Sequence, residues 1–272
     1  MRGIFLTGVL QAFWDRGYRP FKLIIGSSAG AITGTAYSAG KIHLARDAYF
    51  TKLLTAEFIH FSNVLNYHKN VLDLDWMIKT ILSEENPFDS KTLRKSIPVL
   101  ITATHCAEYN PPKTVYLNSK NDDIETALKA TAAIPFLYRG FVNYRDFSLL
   151  DGGLLDPVPY QKALSMGFKQ EDILVIVTRV KGYRKKEESF WIKTLYESYY
   201  KNPKYRLLVQ VMENRYIRYN TILNDLEDKF QNINVIYPPD DFIVNRLTQD
   251  QKKVLEGFEQ GIDSGKRFLQ SH

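Results

Sequence analysis

The pentad Gly26-Ser27-Ser28-Ala29-Gly30 places a serine at the centre of a G-x-S-x-G motif. It follows a short apolar stretch typical of a strand and opens a small-residue stretch typical of a helix. In that context the motif predicts a nucleophile elbow, in which Gly26 and Gly30 give the backbone room and Ser28 projects its hydroxyl. Ser27 is off-centre and is the poorer nucleophile. At the start of the helix, the backbone N–H of Ala29 can stabilise an oxyanion. A turn that only packs a helix tightly on a sheet is the alternative interpretation.

A serine nucleophile needs a base, and the five histidines of the sequence are poor candidates. In α/β-hydrolases the histidine follows the acid along the chain, yet His272 is the only histidine after Asp151. Chain termini fray, so His272 is a poor base. Among the interior histidines, His105, at the end of a predicted strand, is the one weak alternative. A Ser-His-Asp triad is therefore not expected.

Asp151 offers a different base, because it follows a predicted strand and precedes Gly152 and Gly153. A carboxylate at a strand end, followed by two glycines, can approach a neighbouring loop closely. An ordinary aspartate is a weak base for a hydroxyl, so this chemistry requires a dry pocket that raises the pKa of the carboxyl group. The residues thus predict a dyad of Ser28 and Asp151 within hydrogen-bond reach of each other. An Asp-Gly turn without a chemical role is the alternative.

Strands and helices alternate along the part of the chain that carries these residues, which predicts an α/β fold. Apolar runs such as 173–178 are typical of buried parallel strands. Beyond residue 190 the pattern is mostly helical. The sequence therefore predicts a hydrolase domain over 1–180 and a helical extension over 181–272. The predicted strands are 21–25, 98–104, 114–117, 147–150, 173–178 and 233–237, and the predicted helices are 5–14, 30–40 and 124–133.

Several motifs, in this order along the chain, resemble those of patatin-like phospholipases. They are the opening Met1–Phe5, the pentad around Ser28, the run Ala130–Pro135 and the stretch Asp151-Gly152-Gly153. The resemblance covers about residues 1–180, and residues 191–269 resemble the helical extension of a bacterial subgroup. It implies a three-layer α/β/α sandwich with a mostly parallel sheet, and a Ser28-Asp151 dyad that cleaves acyl esters of lipids without a metal or other cofactor.

The sequence departs from this family at the oxyanion loop, which in the family is a glycine triplet, any residue, Arg or Lys, and then Gly. Arg2 and Gly3 match only the tail of that loop, and neither the triplet nor the strand before it is present in this sequence. Loss of one oxyanion donor can cost about 10²–10³ in rate. The alternative to an active acyl hydrolase is therefore a catalytically weak or inactive lipid-binding or interaction protein. We expect the chain that starts at Met1 to be less stable and less active than one extended upstream.

The formal net charge of +6 is concentrated in one window of the sequence. Between Arg179 and Arg206, nine Lys or Arg stand against three Glu, which equals the charge of the whole chain. Aromatic residues interleave with these charges, as in segments that contact the headgroups of an anionic membrane. A solvated helix whose aromatic side chains cover the core is the alternative. No groove-entering motif accompanies the charge, so nucleic acid is not an expected partner.

The remaining signals concern the compartment and a possible metal site. Cys106 is the sole cysteine, so no intramolecular disulfide can form. No stretch reaches the roughly 20 apolar residues of a membrane-spanning helix. We therefore expect a cytoplasmic protein with peripheral membrane contact. Asp73 and Asp75 precede a predicted helix and are interpreted as an N-terminal cap, because no histidine or third carboxylate is spaced to complete a metal site.

Overall fold

The computed structural model describes residues 1–60, 62–63, 66, 68–82 and 88–271. Its strands are β1 (Ile24–Gly26), β2 (Val99–His105), β3 (Lys113–Asn118), β4 (Val142–Tyr144), β5 (Phe147–Asp151), β6 (Leu174–Ile176) and β7 (Asn234–Ile236). Its helices are α1 (Gly3–Asp15), α2 (Ala29–Ser38), α3 (Ile42–Asp47), α4 (Leu74–Leu82), α5 (Ser90–Lys95), α6 (Ile124–Ala132), α7 (Tyr160–Ser165), α8 (Phe190–Tyr199), α9 (Arg206–Glu213), α10 (Arg215–Asn224) and α11 (Gln251–Ser271). The predicted α/β fold with helices on both sides of a sheet and a helical C-terminal segment is confirmed.

The long strand β2 organises the main sheet. Along one edge of β2, the residues from Leu100 to His105 pair with β3. Its other edge is shared, because β1 pairs with the first half of β2 and β5 pairs with the second half. Strand β4 then pairs with β5. This arrangement lets two different strands end at the middle of β2.

The sheet is mixed, whereas a mostly parallel sheet was predicted. Only the β1–β2 pairing in this sheet is parallel, and the β2–β3, β2–β5 and β4–β5 pairings are antiparallel. The physical reason is the length of the connections. Strands β4 and β5 are joined by two residues, and a connection that short permits only an antiparallel hairpin. Arg145 in this turn has φ +52°, as such tight turns require.

Strands β6 and β7 form a separate parallel pair, with Val175 opposite Val235. They carry a second cluster of buried side chains in which Ile173, Val175 and Val177 pack with Ile222 and Leu226. Strand β6 lies within the predicted 1–180 domain, and β7 lies within the predicted extension. The predicted domain boundary stays a prediction, and the two parts of the chain share a sheet and a core.

Helix α11 packs along α1 at very short distance, through a row of glycines spaced four residues apart. A Cβ atom on Gly261 would lie 2.2 Å from the carbonyl oxygen of Phe5 and 3.0 Å from the Cα of Gly8. A Cβ atom on Gly265 would lie 2.9 Å from the Cβ of Ala12. Only glycine permits this approach. The first helix of the chain is thus covered by the last one.

Candidate active site

A strained backbone presents Ser28. Strand β1 ends at Gly26 and helix α2 begins at Ala29, so the turn between them is two residues long. Ser28 has φ +53° and ψ −125°, a conformation that side chains of L-residues rarely adopt. A Cβ atom on Gly26 would lie 2.6 Å from the Cα of Ala31, so this position admits only glycine, whereas Gly30 has room for a side chain. Backbone strain of this kind concentrates at functional turns.

Helix α6 holds the elbow from the side. The backbone N–H of Ser28 donates a hydrogen bond to Oγ1 of Thr131 over 2.8 Å. Thr131 is fully buried, so its hydroxyl is fixed by the surrounding packing. It belongs to the run Ala130–Pro135, for which the sequence alone indicated no role. A buried threonine that faces a turn is visible only once the fold brings α6 to β1.

Asp151 is the last residue of β5 and lies opposite Ala103 of β2, while Gly26 of β1 lies opposite Ile101. Because β1 and β5 run in opposite directions along the same edge of β2, their carboxyl ends meet opposite Thr102. A mostly parallel sheet was predicted, whereas the structure brings the two residues together through strands that run in opposite directions. A Cβ atom on Gly152 would lie 2.1 Å from Oγ1 of Thr102, so this contact requires glycine.

Hydrogen bonds hold the backbone and the carboxylate of Asp151 in place. Its backbone N–H donates to the carbonyl of Ala133 over 2.9 Å, and its carbonyl accepts from Oγ1 of Thr104 over 2.8 Å. The carboxylate accepts the backbone N–H of Gly153 over 2.6 Å. These contacts keep the side chain from rotating away from the elbow.

Burial raises the pKa of Asp151 above its usual value. The charges of Arg215 and Arg246, the N–H of Gly153 and a side-chain hydrogen bond from Ser28 act in the opposite direction. The side chain is 4% exposed, so loss of hydration outweighs these contacts. The buried carboxylate of Asp151 lines the same cavity as Ser28, as a base for the serine hydroxyl must.

Two helix N-termini converge beside Ser28 and carry the residues predicted for the oxyanion site. Ala29 begins α2 and Gly3 begins α1, so neither backbone N–H has an acceptor within its own helix. A Cβ atom on Gly3 would lie 2.8 Å from the Cβ of Ala29 and 2.0 Å from the hydroxyl oxygen of Tyr49. Arg2 precedes Gly3 and lines the same cavity as Ser28. The positive ends of two helix dipoles thus lie next to Ser28.

A cavity of about 760 Å³ opens at Ser28 and Asp151. One part of its wall is apolar. Its apolar wall includes Leu6, Leu10, Tyr49, Leu53, Phe58 and Met77. The cavity continues between β1 and β6, where Ile24 and Leu174 face it.

The other candidate residues lie away from this cavity or lack suitable partners. Oγ of Ser27 is buried and has no hydrogen-bond partner among the residues that the structure describes. His105 does not line the cavity; its ring packs edge-on against Phe147, 4.9 Å away. Asp73 caps α4, as predicted, by accepting the N–H of Trp76 over 2.8 Å. Within the described part of the chain, no three metal-ligating side chains cluster.

The basic and aromatic window divides into two parts in the structure. Four tyrosine rings pack against Phe136 or Phe141, so these side chains cover the core; they are Tyr196, Tyr199, Tyr200 and Tyr205. Several of the basic residues are neutralised, since Arg184, Lys185, Lys193 and Lys204 form ion pairs. Phe190 and Trp191, by contrast, are 73% and 79% exposed. No helix in the described ranges is long and apolar enough to cross a bilayer.

The C-terminal segment contributes residues to the cavity that the sequence did not reveal. Arg215, the first residue of α10, and Arg246, in the loop before α11, both line it, as does Tyr219. They come from positions more than 180 residues beyond Ser28 and belong to no motif. Only the three-dimensional structure could identify them.

Two family models match the chain. A model described as patatin-like phospholipase matches residues 1–164, and a model described as a domain of unknown function (DUF6363) matches residues 205–272. Together these matches leave out residues 165–204, where β6 and α8 lie.

Three similar proteins extend this comparison. The uncharacterized protein YjjU of Escherichia coli (strain K12) is 26% identical over 276 residues, which cover 98% of this chain and 74% of YjjU. The uncharacterized NTE family protein Rv1063c of Mycobacterium tuberculosis (strain ATCC 25618 / H37Rv) is 28% identical over 169 residues, which cover 58% of this chain and 41% of that protein. The structure of VipD from Legionella pneumophila aligns with all of this chain and 65% of VipD, with a TM-score of 0.50 and 13% identity, a level that shows the fold alone.

Proposed function

The chain belongs to the patatin-like phospholipase family, and we propose that it is a serine hydrolase that cleaves acyl esters of lipids through a dyad of Ser28 and Asp151. The observation that carries this proposal is the convergence of the strained Ser28 elbow and the buried carboxylate of Asp151 on one cavity, where burial raises the pKa of that carboxylate. The apolar wall of the adjoining cavity fits an acyl chain. Family membership and this apolar wall support a lipid as the substrate.

The geometry supports a two-step reaction. Oγ of Ser28 attacks the acyl carbonyl while Asp151 accepts the hydroxyl proton, and the N–H groups of Ala29 and Gly3 stabilise the oxyanion. The tetrahedral intermediate collapses, the alcohol leaves with the proton from Asp151, and an acyl-Ser28 ester remains. Water, deprotonated by Asp151, then releases the fatty acid and regenerates Ser28.

The test compares the two adjacent serines. Ser28→Ala removes the nucleophile and should lower turnover of a nitrophenyl butyrate ester by at least about 10³-fold. Ser27→Ala is the matched control, because it removes a neighbouring hydroxyl from the same turn, and it should retain most of the activity. Equal loss in both variants would contradict the assignment of the nucleophile. Lipid binding without hydrolysis by the unaltered chain would favour an inactive lipid-binding protein.

We further propose that the start of α8 docks the enzyme on the surface of a membrane. Phe190 and Trp191 are the most exposed large apolar side chains in the described residues, and Ile192 and Leu195 extend the same patch. Aromatic side chains of this kind insert at the headgroup layer of a bilayer. Charge contributes less than the sequence implied, since ion pairs neutralise several of the basic residues of the window.

Vesicle flotation tests this contact. The double variant Phe190→Ser/Trp191→Ser should bind vesicles of phosphatidylglycerol and phosphatidylcholine at least about tenfold more weakly. It should hydrolyse a water-soluble ester at the unaltered rate, because the patch lies outside the cavity around Ser28. Leu255→Ser, an exposed apolar residue on α11, is the control and should bind normally. Unchanged vesicle binding of the double variant would contradict the proposal.

A further inference from the structure

Four arginines gather beside the Ser28 cavity from four separate segments of the chain. Arg2 lies at its start, Arg179 follows β6, Arg215 begins α10 and Arg246 precedes α11. Three of them, Arg2, Arg215 and Arg246, line the cavity directly. The charge of Arg179 acts on Arg2 and Arg246, and its guanidinium lies 4.2 Å from the ring centroid of Tyr183. The amino group of Met1 donates to the carbonyl oxygen of Arg246 over 2.6 Å, which fixes the loop that carries Arg246.

The cluster lacks matching negative charge. None of the ion pairs within the described ranges includes any of the four arginines. Asp151 is the carboxylate whose charge acts on Arg215 and Arg246, and Glu188, which also acts on Arg246, is paired with Lys185. Nε of Arg215 is buried, and the described residues offer it no hydrogen-bond acceptor. A buried donor without an acceptor is costly and indicates a missing partner.

Repulsion between the positive charges of the cluster contributes to lowered pKa values of Arg2 and Arg246. Burial, followed by the charges of Arg179 and Arg246, lowers the pKa of Arg2 to about 10. Burial and the charge of Arg215 likewise lower the pKa of Arg246. Arginine guanidinium groups stay charged in proteins. Three of the four arginines line the cavity, where Asp151 is the carboxylate whose charge acts on Arg215 and Arg246.

We propose that this arginine cluster binds a phosphate monoester group of the substrate and so selects acyl esters whose headgroup is an unsubstituted phosphate. The proposal rests on the proposed function, since it names the substrate class of the same site. Planar guanidinium groups donate paired hydrogen bonds to phosphate oxygens. A phosphate monoester carries about −1.5 to −2 at pH 7 and offers three terminal oxygens. A phosphodiester carries only one negative charge and leaves more of the excess positive charge of the cluster without a counter-ion.

Hydrolysis in mixed micelles of neutral detergent tests the selection. We compare dioleoyl phosphatidic acid with dioleoyl phosphatidylcholine and measure the ratio of the two kcat/KM values. Arg215→Gln and Arg246→Gln should each lower this ratio at least about tenfold, because each removes charged hydrogen bonds to the phosphate. Arg206→Gln, an exposed arginine of the same segment, is the matched control and should keep the ratio. We use the ratio of the two kcat/KM values because both arginines also act on Asp151, and an effect on this base changes the hydrolysis of both lipids. Ratios that stay the same in Arg215→Gln and Arg246→Gln would overturn the proposal.

Binding to the Ser28→Ala variant separates this proposal from the proposed function, because it needs no turnover. By calorimetry, dihexanoyl phosphatidic acid should bind at least about tenfold more tightly than dihexanoyl phosphatidylcholine, and also more tightly than inorganic phosphate. Equal affinity for the two lipids overturns the proposal, and so does inorganic phosphate that binds as well as the lipid, since the site would then hold free phosphate.

The unaltered chain gives a readout without an arginine variant. Its Tm should rise more with dihexanoyl phosphatidic acid than with the phosphatidylcholine, and equal shifts would count against selection.

Discussion

Asp151 must be basic enough to accept a proton from Ser28 and still be ionised at working pH. Burial makes the carboxylate more basic, because it disfavours the charged form. Arg215 and Arg246 oppose burial by stabilising the charged form. The arginines that we propose to bind the substrate phosphate thus also adjust the base. This dual role links substrate recognition to the ionisation of the dyad.

The pH dependence of activity should report this balance. If ionised Asp151 is the base, kcat/KM for a neutral ester falls as pH drops through its pKa, so the acidic limb should lie above the usual pKa of an aspartate. Arg246→Gln removes a charge that lowers this pKa, so the pKa should rise and the limb should move to higher pH. The measurement is the pH profile of kcat/KM, with Arg206→Gln as the control. A limb that stays in place or moves to lower pH would show that Arg246 does not act on the base.

The residues of the candidate site differ in how far the sequence could predict them. Ser28 and Asp151 stand in local motifs, because the turn that exposes a serine and the glycines that let an aspartate approach are both short-range requirements. Thr131 and Arg246 carry no such local signal. Their positions depend on which helix packs against β1 and on where the C-terminal loop returns, and both follow from long-range packing.

At the scale of elements, long periodic segments were predictable and pairing was not. The helix predicted over 5–14 is α1, and the predicted strands 98–104 and 147–150 are β2 and β5 within one residue at each end. Of the predicted strand 21–25, only Ile24 and Ile25 belong to β1, which ends at Gly26. Strand β1 is this short because it pairs only with the first half of β2. Apolar alternation identifies a strand but does not set the direction of its partner.

The close contact between α1 and α11 predicts that a glycine-to-alanine substitution in α11 lowers the stability of the protein. Replacing a helical glycine by alanine normally stabilises a helix by about 1 kcal/mol. Gly261→Ala should instead lower the free energy of unfolding by about 1–3 kcal/mol, because the new methyl group meets the backbone of Phe5 and Gly8. Chemical denaturation followed by circular dichroism measures the change. Glu259→Ala, on the exposed side of α11, should stay within about 0.5 kcal/mol. A Gly261→Ala variant as stable as the unaltered chain would contradict the close packing.

The molecule as a whole depends on contacts between its first and last segments. The sequence indicated a helical extension, but it could not indicate that this extension completes the core of the hydrolase part. Phe242 packs on Phe5 at 5.7 Å between ring centroids, and Phe268 packs on Phe13 at 5.6 Å. Strand β7 supplies the partner of β6. The two aromatic contacts join residues more than 230 positions apart, and no local sequence pattern predicts them.

The segment 1–180 alone should therefore not fold as a stable unit, although it carries both dyad residues. Without 181–272, Ile4, Phe5 and Phe13 of α1 lose covering side chains, and the burial of each such side chain contributes about 1.5–3 kcal/mol. That loss is a large share of the 5–15 kcal/mol that stabilises a typical domain. Strand β6 would also lose its pairing and expose an edge.

The measurement is thermal unfolding of the 1–180 segment and of the full chain by near-ultraviolet circular dichroism, with binding of a hydrophobic dye as a second probe. We expect no cooperative transition for the segment, and strong dye binding. Coexpression of residues 181–272 as a separate chain is the control, because it restores α11 and β7 and should recover a cooperative transition together with esterase activity. A segment that melts cooperatively at the Tm of the full chain would show that the hydrolase part folds independently, and the contacts of α11 with α1 would then serve only to bring Arg215 and Arg246 to the cavity.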